Sequence, residues 1–226
     1  MEINDGMMAQ EPIIVGHKAN KKSILQRYLR LGLRIVEFDV QALNGKIVVK
    51  HGLETGAAGL KRLVMNYGYL LVEGKDPIFK PSTLEEHLRL IGGRVGVWLD
   101  LKSKGIEREV VSSALASGAQ MVVVSTGFHN MLRFVKESYP QVTAMLGNVD
   151  YRPSRPAKEV ELASADGISI NYHFVDEELV EELHSAGYKV AVWTVNDVSR
   201  ARWLVELGVD YIITDVPEKV LSILKR

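Results

Sequence analysis

Short β-branched, apolar runs recur along the chain, most of them separated by segments of helical length. The runs are Ile13–His17, Leu33–Val40, Val95–Lys102, Met121–Ser125, Thr143–Leu146, Gly167–Asn171, Lys189–Val195 and Tyr211–Thr214. Between or after them lie Ser23–Leu31, Thr83–Ile91, Ile106–Ala116, Asn130–Tyr139, Ala157–Ala163, Glu177–Ala186, Val198–Leu207 and Glu218–Leu224. Several of these carry apolar residues at helical spacing, as in Leu179, Val180 and Leu183, with charges on the other side. Strand–helix alternation at this length predicts a parallel sheet, and closure into a (β/α)8 TIM barrel is the economical arrangement. The competing fold is an open doubly wound sheet, which normally has fewer strands and a phosphate-binding glycine turn after the first. Neither G-x-G-x-x-G nor a P-loop occurs in the chain.

Two features interrupt the alternation. Asn44-Gly45 is a tight-turn signal after the second strand, and Lys46–His51 reads as a short returning strand. Residues 53–81 then form an insertion with several glycines and the aromatic residues Tyr67, Tyr69 and Phe79. In a barrel, a strand-to-helix insertion lies on the active-site face. This one is a candidate cover for the mouth or a candidate surface for homo-oligomer contacts, and a small satellite core is the simpler account. The expected organisation is a flexible extension at 1–11 and one barrel domain at 12–226.

Composition narrows the chemistry. The 226 residues suit a single α/β barrel. Lys+Arg and Asp+Glu are equal at 28 each, so no bulk field recruits nucleic acid or an anionic membrane. Cysteine is absent, which leaves histidine and carboxylates as metal ligands. The uncharged stretch from Val110 to Leu132 contains too many serines and other polar residues for a spanning helix. With an acidic N-terminus lacking an apolar core, the expectation is a cytoplasmic protein without stable membrane insertion.

The most informative local sequence is Arg34-Ile-Val-Glu-Phe-Asp-Val-Gln41. Strand alternation places Glu37 and Asp39 on one face with Leu33 and Ile35, and Val36, Phe38 and Val40 on the other. Two carboxylates converging inside a barrel repel unless a cation lies between them, and oxygen ligands suit a hard divalent ion. The next strand repeats the device, with Trp98, Asp100 and Lys102 on one face. Asp100 completes a three-carboxylate set and Lys102 is a candidate phosphate contact; the simpler reading pairs the two with each other. His17 and His51 end flanking strands, and two histidines that titrate near neutrality are a candidate acid–base pair.

These residues resemble the glycerophosphodiester phosphodiesterase family. His17-Lys18-Ala19 stands where that family has His-Arg-Gly, Glu37-Phe38-Asp39 matches its Glu-x-Asp, and His51-Gly52 its His-Asp. Asp100-Leu101-Lys102 takes the place of Glu-x-Lys. Ser82-Thr83-Leu84-Glu85-Glu86, Val192-Trp193-Thr194-Val195-Asn196 and the run from Gly208 to Pro217 follow in order. The resemblance implies metal-dependent hydrolysis of a small glycerophosphodiester to glycerol phosphate and an alcohol, within glycerol and lipid metabolism. It implies one divalent cation, Mg²⁺ or Ca²⁺ with Mn²⁺ an alternative, on Glu37, Asp39 and Asp100. It assigns acid–base roles to His17 and His51 and substrate or phosphate contacts to Lys18, Lys102 and Trp193. A glycerol hydroxyl that attacks phosphorus before water completes the hydrolysis belongs to the same expectation.

The departures mark a divergent member. A point-charge lysine replaces a forked guanidinium at position 18, and strict alternation puts it opposite His17. The family's Pro-Glu-Asn-Thr segment has no counterpart in Asn20-Lys21-Lys22-Ser23, and Asp100 is one methylene shorter than Glu. Packing is as good an account of Trp193 as a wall for glycerol. Competing functions on the same scaffold are a phospholipase D-like attack on lipid headgroups and a non-catalytic phosphate-ligand-binding barrel.

Overall fold

A computed structural model of the chain describes residues 11–50 and 81–224. Eight parallel strands close into a barrel. They are β1 (Ile13–Gly16), β2 (Ile35–Leu43), β5 (Gly96–Leu101), β6 (Val122–Thr126), β7 (Thr143–Val149), β8 (Gly167–Asn171), β9 (Lys189–Trp193) and β10 (Tyr211–Thr214). Pairing of β1 with both β10 and β2 completes the circle, so the (β/α)8 expectation holds and the open sheet is excluded. Around it run helices α1 (Lys22–Leu31), α2 (Leu84–Ile91), α3 (Glu107–Ala116), α4 (His129–Ser138), α5 (Pro156–Ala163), α6 (Glu177–Ser185), α7 (Val198–Glu206) and α8 (Pro217–Leu224).

Period-2 alternation sorts the strand residues into two cores. Val36, Phe38, Val40, Val97, Leu99 and Leu101 pack outward against the helices. Val15, Ile35, Trp98, Val123, Met145, Ala191, Tyr211 and Ile213 fill the lumen. Leu33, expected on the inner face with Ile35, lies in the outer core instead. It precedes β2, and alternation constrains side chains only where the backbone is extended.

Helix ends follow local chemistry. Gly32 closes α1 at φ 71°, in the left-handed region that favours glycine. The Thr83 side chain caps α2 by accepting from the Glu86 N–H at 3.2 Å. The hairpin is present as well: Asn44 and Gly45 sit at φ 51° and 72°, and β3 (Lys46–Val49) returns antiparallel to β2. A two-residue strand, β4 (Ser82–Thr83), adds to β3 and was not expected. It docks the start of α2 beside the hairpin.

The 1–11 extension, the 53–81 insertion and His51 fall almost wholly outside the described residues, and with them the expected oligomer surface. No helix among the described residues is long and apolar enough to cross a membrane.

Candidate active site at the barrel mouth

At the carboxyl ends of the strands a cavity of about 140 Å³ opens, enough for a small ligand and not merely one water. His17, Lys18, Glu37, Asp39, Asp100, Lys102 and Trp193 all line it, so every predicted site residue within the described span reaches one space, and Trp98 lines it as well. Asn148, Ser125, Ser169 and Thr194 also contribute.

The carboxylates meet because of strand register. Asp39 pairs directly with Asp100 across β2 and β5, and Glu37 lies one inward position below, level with Trp98. One oxygen from each of Glu37, Asp39 and Asp100 lies within 4.8 Å of the others. Glu37 and Asp39 retain only 4% and 2% of their exposure, so water screens the repulsion weakly. Burial, reinforced by Asp39 and Asp100, pushes the Glu37 carboxyl well above its ordinary range. Burial raises Asp100 too, with Lys102 opposing and Asp39 adding to the shift.

Lys102 partly offsets this charge. Its ammonium donates to Asp100 Oδ2 at 2.5 Å and lies 3.4 Å from Asp39 Oδ1. Burial works against the ammonium, but Asp100 and Asp39 hold it above its ordinary value, so Lys102 stays protonated. The two residues thus pair with each other, and both face the cavity.

Lys18 resolves a conflict in the sequence. Strict alternation would turn it away from His17, yet both line the cavity, because β1 ends at Gly16 and Lys18 adopts φ 50°. Its backbone N–H donates to Glu37 Oε2 at 2.7 Å. Trp193 behaves likewise: β9 ends there, and Thr194 joins it in the lining instead of facing away. Trp193 also packs on the lumen core, so a packing role and a position in the cavity wall coexist.

Several members of the site carried no role in the sequence reading. Asn20 is buried and clamps Asp39, donating from Nδ2 to Oδ2 at 2.7 Å and accepting the Asp39 N–H at 2.9 Å. His87 is also buried; its Nε2 donates to the Ala19 carbonyl at 3.1 Å, and burial lowers its pKa, which keeps the ring neutral. Asn148, at φ 59° beside the register shift in β7, accepts from Lys102 at 3.1 Å. Asp215 lies 2.8 Å from His17 Nδ1. Register supplies the cause, since Gly16 pairs with Thr214 at the ends of their strands and His17 and Asp215 follow directly. A polar residue just past a barrel strand was the signal available for Asp215.

An oxygen-only cluster holding more negative charge than its lysine can balance is suited to a hard divalent cation. Asp100 Oδ1 is buried with no hydrogen-bond partner among the described residues, which leaves a ligand atom open. The residues present thus fit such an ion.

Acids, a fixed cation and a histidine at the carboxyl-end mouth of a closed barrel make up a candidate enzyme site whose chemistry suits phosphate esters. A model of the glycerophosphoryl diester phosphodiesterase family matches residues 98–219, more than half of the chain, and the chain belongs to that family. It is 26% identical to a glycerophosphodiester phosphodiesterase of Caldanaerobacter subterraneus, covering 95% of this chain and 98% of that one. A dermonecrotic toxin of Sicarius albospinosus is 24% identical over 94% of this chain and 92% of its own. The barrel superposes on an Oleispira antarctica phosphodiesterase solved with its product sn-glycerol-3-phosphate, at a TM-score of 0.74 and 24% identity, covering 96% and 98% of the two chains. A glycerophosphodiester phosphodiesterase from Parabacteroides distasonis gives a TM-score of 0.73 at 20% identity, covering 95% and 97%. The expected enzyme class therefore stands.

Proposed function

We propose that the chain hydrolyses small glycerophosphodiesters to glycerol phosphate and an alcohol, using one divalent cation and two histidines. The observation that carries this reading is the juxtaposition of Glu37, Asp39 and Asp100 in the cavity that also holds His17 and Lys102. A divalent cation bound by the three carboxylates, Mg²⁺ or Ca²⁺ with Mn²⁺ an alternative, would supply Lewis-acid stabilisation of charge on the phosphate oxygens.

The chain's own groups do the rest. Lys102, kept charged by its carboxylate neighbours, offers N–H donors to a phosphoryl oxygen at the edge of the acid cluster. Lys18 places a second ammonium-bearing side chain on the cavity lining. Trp193 gives the glycerol carbons an apolar surface beside Thr194. His17 takes the proton of the attacking hydroxyl or returns it to the departing oxygen. The partner histidine is His51, assigned from the family motif; Lys50, just before it, donates its N–H to the Asp39 carbonyl at 3.1 Å. Isolated phosphodiesters recognised in this way need neither nucleic acid nor a membrane. Residues 12–226 would form one catalytic barrel domain, acting in the cytoplasm on glycerol and lipid metabolites.

Release of glycerol phosphate from a panel of soluble and lipid diesters tests the proposal, with EDTA and with added Mg²⁺, Ca²⁺ or Mn²⁺. Metal-restored turnover on soluble diesters is expected. Its absence on every diester under every metal condition would overturn the reading. His17→Ala and His51→Ala should each cost about 10²–10⁴-fold in kcat while calorimetric metal binding persists. Near-normal turnover in either variant removes that histidine from the mechanism.

A further inference from the structure

His17 is pinned far more firmly than a histidine that merely ends a strand. Its N–H donates to the Thr214 carbonyl at 2.9 Å, and its own carbonyl accepts from the Tyr28 hydroxyl at 3.0 Å. The ring Nδ1 meets Asp215 Oδ1 at 2.8 Å. Asp215 is fixed in turn: its Oδ2 accepts from Asn196 Nδ2 at 2.9 Å, and its N–H donates to Asn196 Oδ1 at 2.9 Å. That oxygen also accepts from Thr214 Oγ1 at 3.1 Å. The Asn196 amide therefore holds Asp215 at both ends, its Nδ2 on the carboxylate and its Oδ1 on the backbone N–H.

An ionised carboxylate only accepts hydrogen bonds, so the proton between Asp215 and His17 resides on Nδ1. The neutral ring is then the Nδ1–H tautomer, with its lone pair on Nε2. Nε2 lies on the side of the acid cluster, 4.0 Å from Glu37 Oε2. Fastening β10 to its neighbours does not require this carboxylate. Backbone bonds already do that, among them Val195 N–H to the Ile213 carbonyl at 2.9 Å.

We propose that Asp215 is the positioning residue for His17, holding the tautomer that leaves Nε2 free to exchange a proton with the substrate, and that Asn196 orients Asp215. The inference rests on the phosphodiesterase reading and deepens it. When His17 acts as base, the O–H bond of the attacking hydroxyl breaks as its oxygen joins phosphorus. The proton moves to Nε2, and the resulting imidazolium is stabilised by Asp215 through Nδ1–H. The P–O bond to the leaving alcohol breaks, and that oxygen takes its proton from the second histidine.

Two measurements test the assignment: ¹⁵N NMR of histidine-labelled protein above pH 8, and steady-state kinetics of Asp215→Asn, Asp215→Glu and Asn196→Ala. The wild-type protein should show the Nδ1–H tautomer at His17. Asp215→Asn should shift the tautomer and lower kcat by about 10²–10⁴-fold with KM little changed. Asp215→Glu should recover part of that loss, and Asn196→Ala should cost roughly tenfold. An Nε2–H tautomer in the wild type, or an Asp215→Asn variant with undiminished kcat, overturns the proposal. Should Asp215→Asn fail to fold, the wild-type spectrum and Asn196→Ala decide it. A wild-type protein inert on all diesters refutes the phosphodiesterase reading instead, and the tautomer spectrum alone then supports or overturns the geometry.

Discussion

Below the mouth, the barrel lumen is filled by Val15, Ile35, Val123, Met145, Ala191 and Tyr211, and strict alternation decides which residues enter it. At the mouth the same strands end, and consecutive residues enter the same space: His17 with Lys18, and Trp193 with Thr194. The lumen is apolar and stabilises the fold by burial. The mouth gathers buried carboxylates whose repulsion the fold must tolerate. Ladder hydrogen bonds impose the two-residue period, and once they stop the backbone turns to aim side chains where chemistry needs them.

The sharpest way to break this contrast is to remove a carboxylate. Asp39→Ala should abolish calorimetric binding of Mg²⁺ or Ca²⁺ and lower kcat/KM by at least about 10³-fold, since a metal's charge stabilisation is worth several kcal/mol. Its apo stability should not fall as that of a lumen variant would. Unchanged metal affinity would take Asp39 out of the ligand set.

In the lumen the expectation is reversed. Trp98 is buried, stacks edge-on to Tyr211 at 5.3 Å between centroids, and donates to Ser125 Oγ at 2.9 Å. Trp98→Ala should cost about 3–5 kcal/mol in urea denaturation through the cavity it leaves. A loss below about 1 kcal/mol would show that the lumen is not a tightly packed core.

The smallest effect is in pH dependence. The Glu37 carboxyl is raised, first by burial, so the folded protein binds its proton more tightly than the unfolded chain does. Stability from that proton is fully present below the ordinary carboxylate range and is lost as pH rises through the elevated value. Asp215 behaves oppositely. Burial would raise it, but the hydrogen bond and charge of His17, with Asn196 and Lys18, bring it down to about 2. Its contribution is present above the ordinary aspartate range and fades as pH falls toward 2. The metal-free protein should therefore melt at lower temperature at pH 8 than at pH 5, and Glu37→Gln or added Mg²⁺ should reduce that difference. A metal-free melting temperature independent of pH and of the substitution would remove the electrostatic strain inferred at the mouth.

The barrel was legible because its strands repeat one pattern, and alternation alone put Glu37 and Asp39 on the inner face. Asp100 and Lys102 followed from the same rule on β5. The rule failed for Leu33, Lys18 and Thr194, each of which lies outside its strand as built. Asn20, Asn196 and Asp215 went unassigned because hydrogen bonds across long sequence separations leave no local period. Asn20 reaches Asp39 over 19 positions, and His17 reaches Asp215 over 198.

That last separation bears on biosynthesis. His17 leaves the ribosome 198 positions ahead of its carboxylate neighbour. Gly16 stands against the Tyr28 ring, where an added Cβ would come within 2.5 Å, so β1 and α1 pack closely through a contact local in sequence. The His17 ring nitrogen has its partner only once β10 is docked. A chain lacking β10 therefore has no Asp215 to orient the histidine, and on the proposed role of that carboxylate the orientation of His17 waits for the barrel to close.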